Sequence, residues 1–125
     1  MPWLYFTLKE KERLWAVPWQ REVHARLAAL EAVTLDDSCF IAPSARIFAE
    51  PSRSVVVGAR ASIGAEAFVH GPVVLHSDVS LNPRVSLDGG SAGIEIGAAS
   101  RIATGVALYA FDHGIAAGTP IREQR

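Results

Sequence analysis

The side chains able to exchange protons or hold soft ions near neutral pH are few. They are His24, His70, His76 and His113, with Cys39 as the single thiol. A neutral imidazole can take a proton from a hydroxyl, because its pKa lies near working pH. A single histidine in a loop, as His113 is, is more often a solvated side chain than a base. His70 and His76 are separated by one residue too many for the His-x4-His spacing of a shared metal ion. They read as outward-facing surface histidines. A lone cysteine excludes a disulfide framework and a Cys-based metal site. Cys39 lies in the apolar run Cys39-Phe40-Ile41-Ala42 and reads as a small buried thiol, with a reactive thiol as the alternative. His24 falls on the polar side of a helical stretch, with no functional case.

Two kinds of element must position these groups. In the first third of the chain, Trp15, Trp19, Val23, Leu27 and Leu30 recur at spacings of four, four, four and three. That spacing predicts an amphipathic helix with this stripe packed on its own domain. Arg21, Glu22, Arg26 and Glu31 lie off the stripe. Pro18 either starts the longer helix or breaks it from a shorter one around Lys9–Trp15.

After Phe40 the period becomes six. Ile41 and Ile47 begin the series, and Val57, Ile63, Val69, Leu75, Leu81 and Leu87 continue it without a gap. Ile96, Ile102 and Leu108 resume it after a three-residue excess. Four residues after each aliphatic comes a second series, mostly small or β-branched: Ala61, Ala67, Val73, Val79 and Val85 in its middle stretch. Short strands turn alternate residues to one face, so both series point inward. A turn every six residues, helped by Gly58, Gly64, Asn82, Asp88 and Gly97, folds the chain into a triangular coil. Three hexads make one coil of about eighteen residues, and stacked coils bury a continuous core. Phe40 to Asp112 holds about four coils, above the roughly three that a solenoid needs.

Charges spaced by one coil give an independent check. Arg60 should stack on Asp78, and Glu66 on Arg84, with opposite signs at outward positions. The period breaks twice, near Arg53-Ser54-Val55-Val56 and in Asp88-Gly89-Gly90-Ser91-Ala92-Gly93. A glycine-rich insertion in a solenoid maps to a loop on one face, either the binding face or a tolerated surface loop.

Composition narrows the partners. Half of the 125 residues are hydrophobic, and 12 Lys+Arg nearly balance 13 Asp+Glu. This balance gives no reason to expect nucleic acid or an anionic membrane as the main partner. No apolar stretch reaches membrane-spanning length, and the apolar start lacks the features of a signal peptide. The cytoplasm is the default location.

Phe68 to Gln124 resembles the hexapeptide-repeat acyltransferases, in the branch containing galactoside, maltose and xenobiotic acetyltransferases. The resemblance rests on Val69-His70-Gly71-Pro72, Ser80-Leu81-Asn82-Pro83-Arg84-Val85-Ser86-Leu87-Asp88-Gly89-Gly90, Ile94-Glu95-Ile96-Gly97, Ile102-Ala103 and Phe111-Asp112-His113-Gly114. Thr119-Pro120-Ile121-Arg122-Glu123-Gln124 is similar to the loop after the catalytic histidine of that branch. The resemblance implies an all-β, left-handed parallel β-helix behind an N-terminal helical segment. It implies transfer of an acetyl group from acetyl-CoA, as co-substrate, to a small hydroxylated acceptor such as a sugar. His113 is then the general base, and Asn82 and Asp88 bind the acceptor. No metal is expected. The resemblance also implies a homotrimer, with sites between neighbouring β-helices.

The resulting division is residues 1–36 as the helical segment, 37–113 as the β-helix and 114–125 as the loop after His113. In the family, further coils carrying the CoA site follow that loop, so most of the donor site is expected outside this stretch. The last coil is then expected either to associate end to end or to be covered by residues 114–125. Two other readings stand beside the enzyme. One is a non-catalytic trimeric scaffold or binding module. The other is a zinc enzyme similar to the γ-class carbonic anhydrases, on the strength of Val69-His70-Gly71-Pro72.

Overall fold

The computed structural model describes residues 2–112, 114 and 116–124. A short helix α1 (Pro2–Tyr5) and a long helix α2 (Glu10–Leu30) precede twelve strands of two or three residues. These are β1 (Val33–Leu35), β2 (Phe40–Ile41), β3 (Arg46–Phe48), β4 (Val55–Val57), β5 (Ser62–Ile63) and β6 (Phe68–His70). They continue as β7 (Val73–Leu75), β8 (Ser80–Leu81), β9 (Ser86–Asp88), β10 (Ile94–Ile96), β11 (Arg101–Ile102) and β12 (Ala107–Tyr109). Every pairing is parallel, in three sheets: A (β1-β4-β7-β10), B (β2-β5-β8-β11) and C (β3-β6-β9-β12). This is a left-handed parallel β-helix of about four turns with an N-terminal helix.

The six-residue period sets the register. Leu35, Val57, Leu75 and Ile96 stack in sheet A, Ile41, Ile63, Leu81 and Ile102 in sheet B, and Ile47, Val69, Leu87 and Leu108 in sheet C. Ala61, Ala67, Val73, Val79 and Val85 are buried beside them, filling the corners. The breaks in the period fall between sheets C and A, where residues 49–54 and 89–93 form longer loops. The stack starts at Val33, because Leu35 lies one period before Ile41. The first strand therefore falls within residues 1–36.

Two readings of the turns need correction. The residue with positive φ is not the one following each aliphatic but the one two positions later: Arg60, Glu66, Asp78, Arg84 and Ala99. Gly58 and Gly64 serve close packing instead. A Cβ on either would come within 2.8 Å of the next coil's backbone. Arg60 and Asp78 do pair, with Arg60 Nε and Nη2 each 2.9 Å from a carboxylate oxygen. Glu66 and Arg84, both solvated at turn positions, form no ion pair among the described residues.

The helix also differs from its sequence reading. Pro18 lies inside α2 without ending it. Leu14, whose carbonyl Pro18 cannot bond, is on the solvent side, so losing that bond does not orphan a buried group. Of the expected stripe, Val23 and Leu27 pack on the coil and Trp19 lies on Phe40 with ring centroids 6.0 Å apart, whereas Trp15 and Leu30 are 62% and 82% exposed and Ala16 and Gln20 are buried instead. The reason is what α2 meets. It crosses the open edge of the first coil, where backbone groups lack a strand partner. The Gln20 amide donates to Ile41 O at 2.9 Å and accepts from Ile41 N at 2.8 Å. His24 Nε2 donates to Cys39 O at 3.1 Å, and Glu31 Oε2 accepts from Ala49 N at 2.8 Å. His24 is therefore a structural cap.

Candidate functional site

Sheet C gathers titratable side chains around one corner. His70 ends β6 and Asp88 ends β9, paired in register. Glu50 follows β3. The His70 Nε2–H donates to Glu50 Oε1 at 3.0 Å, and Nδ1 lies 3.5 Å from Asp88 Oδ1. The hydrogen bond from His70 holds the Glu50 carboxyl below its ordinary range. Asp88 Oδ1 also accepts the Gly90 N–H at 3.0 Å, which fixes the carboxylate at the mouth of the glycine-rich loop. The Phe68 ring lies against His70 with centroids 6.4 Å apart.

That loop abuts the next coil. Tyr109 of β12 stands opposite Asp88. Gly90 has a φ of 56°, and a Cβ there would come 2.9 Å from Ala110 O and 3.1 Å from Phe111 Cβ. Glycine is needed both for the left-handed backbone and for this approach. The chain thus brings the Asp88 loop against residues 109–111, two positions before His113. His113 itself, the expected base, lies outside the described residues.

Asn82 stands elsewhere. It begins the turn between sheets B and C, its N–H donates to Ile102 O at 3.0 Å, and it lines a cleft with Trp3 and Arg101. Asp88 leaves sheet C at the following corner. Within one chain, the structure joins Asp88 to His70, Glu50 and residues 109–111, but not to Asn82.

His70 was taken as a surface histidine, yet it is the centre of this group. The signal was present, because His70 and Asp88 are one eighteen-residue coil apart. Glu50 was hidden by the four-residue insertion that follows it. His76 faces a different corner and pairs with Glu95 at 2.6 Å. Among the described residues, no group of three or more His, Cys, Asp or Glu could hold a metal ion.

Cys39 is fully buried, and burial pushes its thiol up to about 12. Its sulfur lies 3.7 Å from His24 Nε2. Burial likewise holds the His24 imidazole below its ordinary value. The protonation states are thus opposite to those of a thiolate–imidazolium pair.

Residues 116–124 form a small loop of their own. Gln124 Nε2 donates to Ala116 O at 3.0 Å and its Oε1 accepts from Ala116 N at 2.9 Å. The short helical turn Ile121–Glu123 exposes its side chains, and Leu108 of β12 is 37% exposed. No helix among the described residues is long and apolar enough to cross a membrane. No protein-family profile, curated protein or solved structure matches the chain.

Proposed function

We propose that this chain carries acceptor-handling residues of a CoA-dependent acyltransferase, acting on a small hydroxylated acceptor such as a sugar. The observation that supports this best is the stacking of β12 on β9. It sets the Asp88 loop against the segment leading into His113. Asp88 and residues 109–111 thereby belong to one region of surface.

In this reading the His113 imidazole takes the proton of an acceptor hydroxyl as its oxygen attacks the thioester carbonyl carbon of acetyl-CoA. A C–O bond forms, the C–S bond breaks, and the departing thiolate receives the proton from the imidazolium. Asp88 accepts a hydrogen bond from another acceptor hydroxyl, and its bond from Gly90 N–H fixes the direction of approach. Asn82 leaves a different corner of the same coil, so it joins the site from a neighbouring chain of a homotrimer. With acetyl-CoA as donor, the reading expects the protein in the cytoplasm.

The test is calorimetric titration with acetyl-CoA, followed by a screen of hydroxylated acceptors. The reading expects one donor per chain and a transfer activity lost in His113→Ala with donor binding kept. Absence of binding at millimolar acetyl-CoA, or activity unchanged in His113→Ala, overturns it.

One observation favours a second reading, a trimeric scaffold without catalysis. The outward face of sheet C carries Phe48, Phe68 and Tyr109, and Tyr109 is 59% exposed. An aromatic face of this kind suits subunit contact whether or not chemistry occurs. A trimer by light scattering that binds no acetyl-CoA would select this reading.

A further inference from the structure

The outward face of sheet B contains a cleft of which the acyltransferase reading uses Asn82 alone. Phe40, Ser62, Ser80 and Arg101 stand opposite one another in successive strands, so they form one ladder up the sheet. Their neighbours Ile41, Ile63, Leu81 and Ile102 point into the core, which turns this ladder outward. Helix α1 packs across β2 and β5 and covers the lower rungs. Tyr5 lies on Phe40 with centroids 5.3 Å apart, and Ser62 is buried. The upper rungs, Ser80 and Arg101, remain open beneath the side of α1.

Two lobes of about 410 and 680 Å³ meet there, sharing Trp3, Asn82 and Arg101. Small-molecule sites occupy the same range of volumes. The first lobe adds the hydroxyls of Ser62 and Ser80, 3.3 Å apart, and the second adds Thr104.

Charge decides what the cleft would hold. Arg60 and Asp78 also line the first lobe, but they neutralise each other through two 2.9 Å bonds. Among the described residues Arg101 has no carboxylate within ion-pair distance and no side-chain hydrogen bond. The cleft therefore carries one uncompensated guanidinium. A guanidinium is a weakly hydrated planar fork that suits a carboxylate or phosphate. The Asn82 amide supplies further donors next to it, and the Trp3 indole offers a flat wall for a ring.

We propose that the cleft between α1 and sheet B binds a small ring-bearing molecule with one carboxylate or phosphate group. The oxyanion sits on Arg101, and the ring lies against Trp3. The cleft shares Asn82 with the acyltransferase reading but requires neither His113 nor acetyl-CoA, so a titration without CoA that depends on Arg101 separates the two.

The experiment is calorimetry of the full chain, without CoA, against glucuronate, glucose 6-phosphate, glucose and inorganic phosphate. Wild type is compared with Arg101→Gln, Trp3→Ala and, as a control, Arg122→Gln. Arg101 is exposed on the sheet surface, so Arg101→Gln should fold, and its circular dichroism and melting temperature verify this. The expected result is saturable binding of one anionic sugar per chain, at least ~10-fold tighter than glucose. Arg101→Gln should weaken it by ~10-fold or more, as loss of a charge-assisted bond does, with Arg122→Gln unchanged. Preference for glucuronate or for glucose 6-phosphate identifies the oxyanion. The proposal is overturned if neither sugar binds at ~50 mM, well above the millimolar range of weak ligands. It is also overturned if Arg101→Gln binds as wild type does, or if inorganic phosphate binds as tightly as the phosphosugar.

Discussion

Replacing Gln20 tests how the first coil is closed. Gln20 is 1% exposed, and its amide makes both hydrogen bonds that a neighbouring strand would give Ile41. Gln20→Met keeps the length and flexibility of the side chain but removes donor and acceptor together. The Ile41 N–H and C=O are then buried without partners. Each orphaned group costs ~1–3 kcal/mol, and the more favourable burial of a thioether offsets part of the sum. A net loss of about 3 kcal/mol follows. At roughly 3–4 °C per kcal/mol for a chain of this size, the melting temperature should fall by about 10 °C.

Gln20→Glu adds a test of sign. A protonated carboxyl can donate to Ile41 O and accept from Ile41 N, as the amide does, whereas a carboxylate can only accept. The folded-state pKa of the introduced carboxyl is therefore raised above its unfolded value near ~4.3. Its stabilising contribution is complete below that value and is lost as pH rises through the folded pKa. Urea unfolding followed by circular dichroism should find Gln20→Glu closest to wild type near pH 4 and furthest from it at pH 7. The Ile41 amide should exchange faster with solvent in Gln20→Met. A loss below ~0.5 kcal/mol in Gln20→Met, within the range of neutral surface changes, would refute the capping argument. So would the absence of acid recovery in Gln20→Glu.

Gly58→Ala and Gly64→Ala should each destabilise by about 1–3 kcal/mol, because the new methyl meets the next coil's backbone and not a movable side chain. Gly97→Ala, at the same place in the fourth coil with nothing within 4 Å, should be neutral or stabilise by up to ~1 kcal/mol, measured by the same urea unfolding. Cys39, with its thiol pushed up to about 12, should react with an aromatic disulfide at pH 8 only as fast as the protein opens, so its labelling rate should rise with urea. The hydrogen bond from Arg60 holds the Asp78 carboxyl below its ordinary value. Its contribution is thus present above the unfolded pKa and lost as pH falls through the folded one. Asp78→Asn should therefore be less stable than wild type at neutral pH, with the difference shrinking in acid and in high salt.

The coil was legible because a β-helix repeats its constraints. Every sixth residue from Ile41 onward faces a core that only an aliphatic fills, and the two insertions leave that period intact on either side. The Arg60–Asp78 pair was legible for the same reason, since one coil length fixes which residues stack. What the repeat does not encode was read less well. Leu35 was taken with the helix because a three-residue strand has too few residues to show a period. Asp88 was singled out by resemblance, whereas its partners His70 and Glu50 come from stacking across loops of unequal length. The packing face of α2 was read only in part, with Val23, Leu27 and Trp19 placed and Gln20 missed, because an amphipathic helix was assumed to meet a wholly hydrophobic surface. It also meets a row of backbone donors and acceptors, which a glutamine, a histidine and a glutamate serve.

The two ends of the stack differ in kind, and this difference bears on the site. At the first coil, edge strand β2 and the residues beside it receive side-chain hydrogen bonds from α2, and Ile41 and Ile47 are as buried as their counterparts in the second and third coils. At the fourth coil, Leu108 is 37% exposed where Leu87 beneath it is fully buried. Stability in a solenoid is approximately a sum of neighbour interfaces, so a coil covered on one side opens more readily than one covered on both. Asp88 belongs to the third coil and is held by His70 and Gly90, whereas the segment leading to His113 follows the fourth. The proposed acceptor contact is therefore built on the firm part of the stack, whereas residues 109–111 belong to a coil covered on one side only. Any partner that covers this coil, a neighbouring subunit included, would steady residues 109–111 relative to Asp88, and in the proposed reading this couples assembly to catalysis.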